Sequence, residues 1–319
     1  MRFSVIIPCF NAARTIERAL DSLSNQSFDD WEAICVDDCS NDNTIAVIKA
    51  YQEHNGSKRI ILLCNEKNSG PGVSRNNGIS VARGEYICFL DSDDYYDLST
   101  FRILDEVIQE KNPDIVLYGC NQIIGNTVRK RPVIPRNSIP DYLALIGGSF
   151  CGGIWRNSLW NSIDIPAISN AEDIAVIPVL ISRASSVSVT NHSLYNYIHS
   201  NSSTSSHHTP QVSRNFVASF HYTLQHLDIN RFFESIEFHG IKTVIYGATL
   251  NALKAGMTKN EVFDLWSEFE QHFPYWKHNP YLKSYALSKR LFVWLAAHRY
   301  FTLMRCYAIA HSTLLNTLG

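Results

Sequence analysis

With 45% apolar and 18% charged residues, a chain of 319 residues carries enough apolar material for a full core, which excludes a disordered or fibrous protein. The formal net charge of −2 argues against nucleic acid as the main partner. No run of about 20 apolar residues occurs, so no transmembrane helix is predicted, and the opening directly on a strand pattern predicts no leader.

The elements alternate from the start. Residues 3–8 (FSVIIP) predict a buried strand, and Ile16, Ala19, Leu20 and Leu23 give residues 13–24 one apolar helix face. Further strands are predicted at 31–36, 59–63, 84–90 and 114–118, and helices at 42–51, 71–82 and 100–110. This β-α-β-α order predicts an α/β fold with a mostly parallel sheet flanked by helices. After Gly125 the rhythm changes. Residues 129–140 are basic and proline-rich, which predicts a loop or irregular crossover. A helix is predicted at 172–183, a strand at 187–197, and a polar loop at 201–210 (NSSTSSHHTP). Helical patterns dominate from Val212 onward. The eight cysteines show no C-x-x-C pair and no zinc-like spacing, so they read as small buried hydrophobes in a reducing compartment.

Two acidic clusters carry most of the chemistry. Asp37-Asp38 follows the apolar run Ala33-Ile34-Cys35-Val36, and Asp91-Ser92-Asp93-Asp94 follows Tyr86-Ile87-Cys88-Phe89-Leu90. Acids at the carboxyl edge of buried parallel strands lie where open α/β sheets bind ligands, which suggests a nucleotide and a divalent metal. Asp91-x-Asp93 offers the hard oxygens that Mg²⁺ and Mn²⁺ prefer, although a solvated turn with capping acids has the same pattern. Asp38 suits a base N–H or a ribose hydroxyl, while a helix N-cap at Ser40 or Asp42 fits equally. The stretch 68–78 (NSGPGVSRNNG) allows close backbone approach ahead of a helix N-terminus, with Arg75 in reach of a diphosphate. Glu172-Asp173 precede an apolar helix run, where complementation of the helix dipole would explain them.

Together these segments resemble the family 2 glycosyltransferases, closely over residues 1–120 and more loosely to about 206. The family's V-I-I-P-x-Y-N opening is Val5 to Asn11, and its Q-[ST]-[YF]-x-x-[WF]-E segment is Gln26 to Glu32. V-D-D-x-S-x-D-x-T is Val36 to Thr44, with Cys39 where glycine is usual. N-x-G-x-x-x-x-R-N-x-G is Asn68 to Gly78, and G-E-Y-[IV]-x-F-L-D-x-D-D is Gly84 to Asp94. The resemblance implies the GT-A fold, with a catalytic domain over 1–210 (nucleotide half about 1–120, acceptor half about 121–210) and a helical C-terminal region over 211–319. It implies an inverting, metal-dependent sugar transfer from a nucleotide-sugar, UDP-linked by expectation, to a hydroxyl of a glycan or lipid-linked saccharide in bacterial surface polysaccharide synthesis.

Residue by residue, the resemblance places Pro8, Phe10, Asn11, Asp38, Ser40, Arg75, Asn76, Asp91 and Ser92 at the nucleotide-sugar. It makes Asp93 the ligand of Mn²⁺ or Mg²⁺, with Asp91 beside it, and Asp173 the catalytic base. Two departures stand out. Gly153 occupies a frequent lysine position before Ile154-Trp155-Arg156. Ile198 follows Tyr195-Asn196-Tyr197 where the family has arginine, leaving His199, His207 or His208 to replace it or to complete the metal shell.

From Gln271 to Gly319 the chain has six Lys/Arg and no Asp or Glu. Residues 281–319 are also aromatic and apolar, which predicts peripheral contact with an anionic membrane or packing on protein, including a homo-oligomer. The expected location is the cytoplasm, at the inner face of the plasma membrane. A catalytically inactive nucleotide- or glycan-binding protein on the same fold is the alternative.

Overall fold

The computed structural model describes residues 1–54, 59–199 and 208–318. The chain folds as two compact units. The first comprises Met1–Ile139, Ser149–Ala167 and Arg183–Asn201, and the second Pro140–Gly148, Ile168–Ser182 and Ser202–Gly319. The division is threaded rather than a single cut near residue 210. Two segments from the middle of the chain join the C-terminal helices.

The first unit is built in chain order from β1 (Phe3–Cys9), α1 (Ile16–Ser24), β2 (Trp31–Asp37), α2 (Thr44–His54), β3 (Ile60–Cys64), α3 (Pro71–Val81), β4 (Tyr86–Phe89), β5 (Tyr95–Tyr96), α4 (Thr100–Lys111), β6 (Ile115–Ile124) and β7 (Thr127–Arg131). The chain then runs through α5 (Ile139–Leu145), β8 (Gly153–Arg156), α6 (Glu172–Arg183) and β9 (Val187–Ile198), of which the two strands belong to this first unit. The strands form one sheet in the order β3-β2-β1-β4-β8-β6-β9-β5, with β7 pairing β6 as a hairpin. Strands β3, β2, β1 and β4 are mutually parallel, as are β6 and β9, whereas β8, β7 and β5 pair antiparallel. The sheet is therefore mixed. Strand β7 corrects the expected loop at 129–140: its five residues TVRKR are all exposed, so it carries no buried alternation.

Strands β1, β2 and β4 are buried almost throughout, as expected of central strands covered on both faces. Their entry side is locked by one buried acid. Glu32 is fully buried and accepts from Ser4 Oγ (2.7 Å), Arg83 N (2.8 Å) and Arg83 Nε (2.9 Å). Ser4 Oγ in turn accepts from Gly84 N at 2.7 Å. A Cβ on Gly84 would lie 2.4 Å from Ser4 N, so only glycine fits this crossing. Helix α3 packs equally close on β1, since a Cβ on Gly78 would lie 2.5 Å from Ile6 Cγ2.

The second unit is helical: α5, most of α6, then α7 (Pro210–His226), α8 (Phe233–Gly240), α9 (Thr249–Lys254), α10 (Lys259–Asp264), α11 (Ser267–His272), α12 (Leu287–Ala297) and α13 (Phe301–Leu318). Between α8 and α9 the chain stays helical but widens into a π-helical stretch, Ile241–Ala248. His239 is buried just before it, and burial, with Lys242 nearby, pushes its pKa well below the ordinary 6.5. The unfolded chain therefore takes up a proton near 6.5 that the folded chain refuses, so stability falls as the pH drops below that value. Between about pH 7.5 and about pH 5.5 the unfolding midpoint of the wild type should fall further than that of His239→Leu. Parallel curves would remove His239 from the acid sensitivity.

Among the described residues no disulfide forms. Cys9, Cys35, Cys88 and Cys151 are buried as expected, whereas Cys64 and Cys306 are exposed. No helix among the described residues is long and apolar enough to cross a membrane.

Candidate active site

The carboxyl ends of β1, β2 and β4 carry the candidate residues of the first unit. At the end of β4, Asp91 sits half-buried and pairs with Arg75, whose Nη2 lies 3.0 Å from Asp91 Oδ1. Arg75 is buried on α3 and lies over the Phe150 ring, 5.5 Å from its centroid. Asp93 is exposed, but nearby protein atoms strip part of its hydration and Asp91 adds like charge, so its pKa rises. Its carbonyl accepts from Arg18 Nη2.

Asp94, the third acid, faces inward. It is fully buried, takes 2.6 Å and 2.7 Å hydrogen bonds from Tyr195 Oη and Ile198 N, and is pushed by burial, with Asp91 and Asp93 nearby, up to about 8. The D-S-D-D run thus divides its labour: Asp91 and Asp93 line the edge, and Asp94 ties the edge to β9.

Several residues expected at the nucleotide also engage the protein itself. Asn11 accepts from Asn41 N (2.8 Å), and its own N–H donates to Ser40 Oγ (2.9 Å), so both residues brace the loops after β1 and β2. Asn76 exchanges both amide bonds with the backbone of Ile165, each at 2.8 Å. Asp38 is buried and accepts from Asn65 Nδ2 (2.7 Å), Ser69 N (2.9 Å) and Gly70 N (2.7 Å), holding the loop that enters α3. Its neighbour Asp37, given no separate role by the sequence, is buried, accepts from Ser40 N through Oδ2 at 3.0 Å, and has an Oδ1 without a hydrogen-bond partner. Cys39 has φ 59°, the left-handed region where glycine is favoured, which accounts for glycine being usual there.

Pro8 lies half-buried in β1, and Ser92 is half-buried between the two edge acids. Phe10 is 47% exposed just beyond β1, a ring free to meet a flat ligand. Gly153 starts β8, where an added Cβ would lie 2.9 Å from Val116 O, so a lysine has no room. Arg156 is committed to Asp114 (3.1 Å) and Glu85 (2.8 Å). His199 is exposed directly after β9, its N–H bonded to Ile123 O at 2.8 Å. His207 and residues 201–206 lie outside the described residues, and His208 shares a 2.9 Å hydrogen bond with Asn251 in the second unit.

Asp173 also belongs to the second unit. It stands half-buried in the first turn of α6, and its Oδ1 accepts from Ile174 N at 2.7 Å. Asn170, just ahead of the helix, has φ 65°.

The metal question turns on the donor set. Among the described residues no cluster of three or more His, Cys, Asp or Glu is placed to hold an ion. One exposed carboxylate with a second beside it is the set that suits Mg²⁺ or Mn²⁺ when substrate phosphates supply the remaining oxygens. The residues present fit a metal that arrives with its nucleotide.

Comparison with known proteins agrees with the fold. The chain is 37% identical over 133 residues to poly(ribitol-phosphate) beta-glucosyltransferase of Bacillus spizizenii, covering 41% of this chain and 21% of that protein. It thus spans about a fifth of the length of that relative. The Staphylococcus aureus TarS 1–349 structure in complex with UDP-GlcNAc superposes with a TM-score of 0.73 at 21% identity, over 98% of this chain and 92% of that one. A mannosyltransferase from Pyrobaculum calidifontis, in complex with GDP-Man and Mn²⁺, superposes with a TM-score of 0.55 at 15% identity, over 98% and 86% of the two chains. These superpositions show the GT-A fold. Residues 4–161 match the family described as Glycosyl transferase family 2, and over that span the chain belongs to the family 2 glycosyltransferases.

Proposed function

We propose that this chain is an inverting, metal-dependent glycosyltransferase. It moves a sugar from a UDP-sugar to a hydroxyl of a glycan or lipid-linked saccharide in bacterial surface polysaccharide synthesis. The observation that carries the reading is the edge of β4, where Asp91 and Asp93 stand together with Arg75 paired to Asp91. Relatives named for poly(ribitol-phosphate) and for teichuronic acid biosynthesis support the setting. Structures of TarS with UDP and UDP-GlcNAc support the donor.

Pro8 and Phe10 flank the base. Arg75 pairs with Asp91 and orients its carboxylate. Asp93, with Asp91 beside it, would hold Mg²⁺ or Mn²⁺, which would supply positive charge to offset that of the departing diphosphate. Asp173 takes the proton of the attacking hydroxyl as the new bond forms. The test is UDP release from a panel of UDP-sugars with Mn²⁺ or Mg²⁺. One donor should be turned over by the wild type, and Asp93→Ala should lose at least about a hundredfold of that rate. Nucleotide binding without turnover across donors and acceptors would support the inactive binding protein instead.

The same reading places the chain against an anionic membrane surface through α12 and α13. Leu287 (80% exposed), Leu291 (51%) and Trp294 (50%) follow one another at helical spacing on α12, and Tyr300 and Leu303 continue the exposed apolar surface. Lys283, Arg290 and Arg305 accompany them in a segment without acids, and this charge favours anionic lipid over a protein face of mixed sign. The full chain should co-sediment with vesicles containing phosphatidylglycerol but not with phosphatidylcholine alone, and Leu291→Glu/Trp294→Glu should release it. Vesicle-independent dimerisation, abolished by the same pair, would assign the face to a second copy.

A further inference from the structure

The second unit carries a half-open pocket of about 170 Å³, walled by Ile174, Ile177 and Pro178 of α6, by Phe216 of α7, and by His239 and Lys242. Three features mark it as built for a ligand. Both principal helices depart from regular hydrogen bonding where they face it. Pro178 sits inside α6 and has no N–H to give the carbonyl of Ile174, and Lys242 and its neighbour Thr243 belong to the π-helical stretch. Such wide turns are frequent at functional positions. Secondly, His239, one of the lining residues, is 4% exposed and its buried Nε2 has no hydrogen-bond partner. Thirdly, among the described residues the lining holds one cation, Lys242, and no carboxylate. Lys242 Nζ is steadied by a 2.9 Å hydrogen bond to Ile146 O. Most of the remaining wall is carbon, Phe216 included.

The position within the unit gives the cavity a role. Ile174, Ile177 and Pro178 all lie on α6, and Ile174 directly follows Asp173.

We propose that this cavity is an acceptor subsite, taking one sugar- or polyol-sized unit that bears an acidic group, carboxylate or phosphate. The acid meets Lys242, a ligand hydroxyl meets His239 Nε2, and Thr243 borders the same face. The volume limits the occupant to a single ring or short polyol. This inference rests on the transferase reading, since it supplies the acceptor for Asp173.

The test uses the full chain with four probes: glucuronate and glycerol 3-phosphate as the acidic pair, glucose and glycerol as their uncharged counterparts. Binding is followed by saturation-transfer NMR and titration, with UDP binding measured in parallel. At least one acidic probe should bind, and Lys242→Met should weaken it about tenfold or more, the scale of a lost charge-assisted hydrogen bond. Lys242→Arg should restore most of the affinity, His239→Leu should weaken it, and UDP binding should stay unchanged in all three. Which acidic probe binds separates a carboxylate site from a phosphate site. Equal binding by wild type and Lys242→Met, equal binding of uncharged probes, or binding of UDP with no acidic probe bound would each overturn the subsite. Failure to bind UDP would instead overturn the transferase reading.

Discussion

Replacing Asp173 by asparagine should lower the transfer rate by roughly a hundredfold to ten-thousandfold, the span that a positioned general base contributes. Asparagine keeps the size of the side chain and a carbonyl oxygen for the 2.7 Å bond from Ile174 N, so the first turn of α6 should survive. What it lacks is a basic oxygen to receive the proton. The proposed role of Asp173 is toward the acceptor hydroxyl and not the nucleotide, so affinity for UDP should stay within about twofold of wild type, below the energy of one ordinary hydrogen bond. Turnover under saturating donor and acceptor, paired with UDP titration, checks both halves. Full turnover in Asp173→Asn would move the base elsewhere. Loss of UDP binding would mean that the substitution acts through the fold.

Much of this architecture is legible in the sequence because its central strands are long, apolar and continuous. Strands β1 and β2 and helix α6 fall within a residue of where periodicity puts them. The mixed character of the sheet is not legible. Strand β5 has two residues and β8 has four, too few for a periodic signal, while β7 is wholly exposed. The sheet order is fixed by pairings across long stretches of chain, which local pattern does not carry.

The site divides in the same way. A D-x-D after a buried strand announces Asp91 and Asp93. Whether a polar side chain in a motif faces ligand or backbone depends on what the fold brings opposite it. Asn76 meets the backbone of Ile165, 89 positions away, and Asp94 meets Tyr195, 101 positions away. A motif residue shared across a family is therefore as ready to hold a loop as to hold a nucleotide.

Glu32, the last residue of the Gln26 to Glu32 segment, gives the second large effect, and it is an effect on stability. Burial alone would raise its pKa, but the hydrogen bonds from Arg83 and Ser4 outweigh burial and lower it, so the buried group is a carboxylate in demand. In Glu32→Ala the Arg83 guanidinium, 64% exposed, returns to water at little cost. The Arg83 N–H and the Ser4 hydroxyl lose their acceptor inside the protein, at about 1–3 kcal/mol each. The expected loss is therefore about 3 kcal/mol in urea unfolding, with Glu32→Gln losing about 1 kcal/mol because its carbonyl still accepts from Ser4. The pair also separates two uses of a family motif. If Glu32 only locks the turn between α3 and β4 onto β1, Glu32→Gln keeps wild-type UDP affinity while its midpoint falls. A Glu32→Gln chain with unchanged stability and weakened UDP binding would place this acid among the ligand contacts instead.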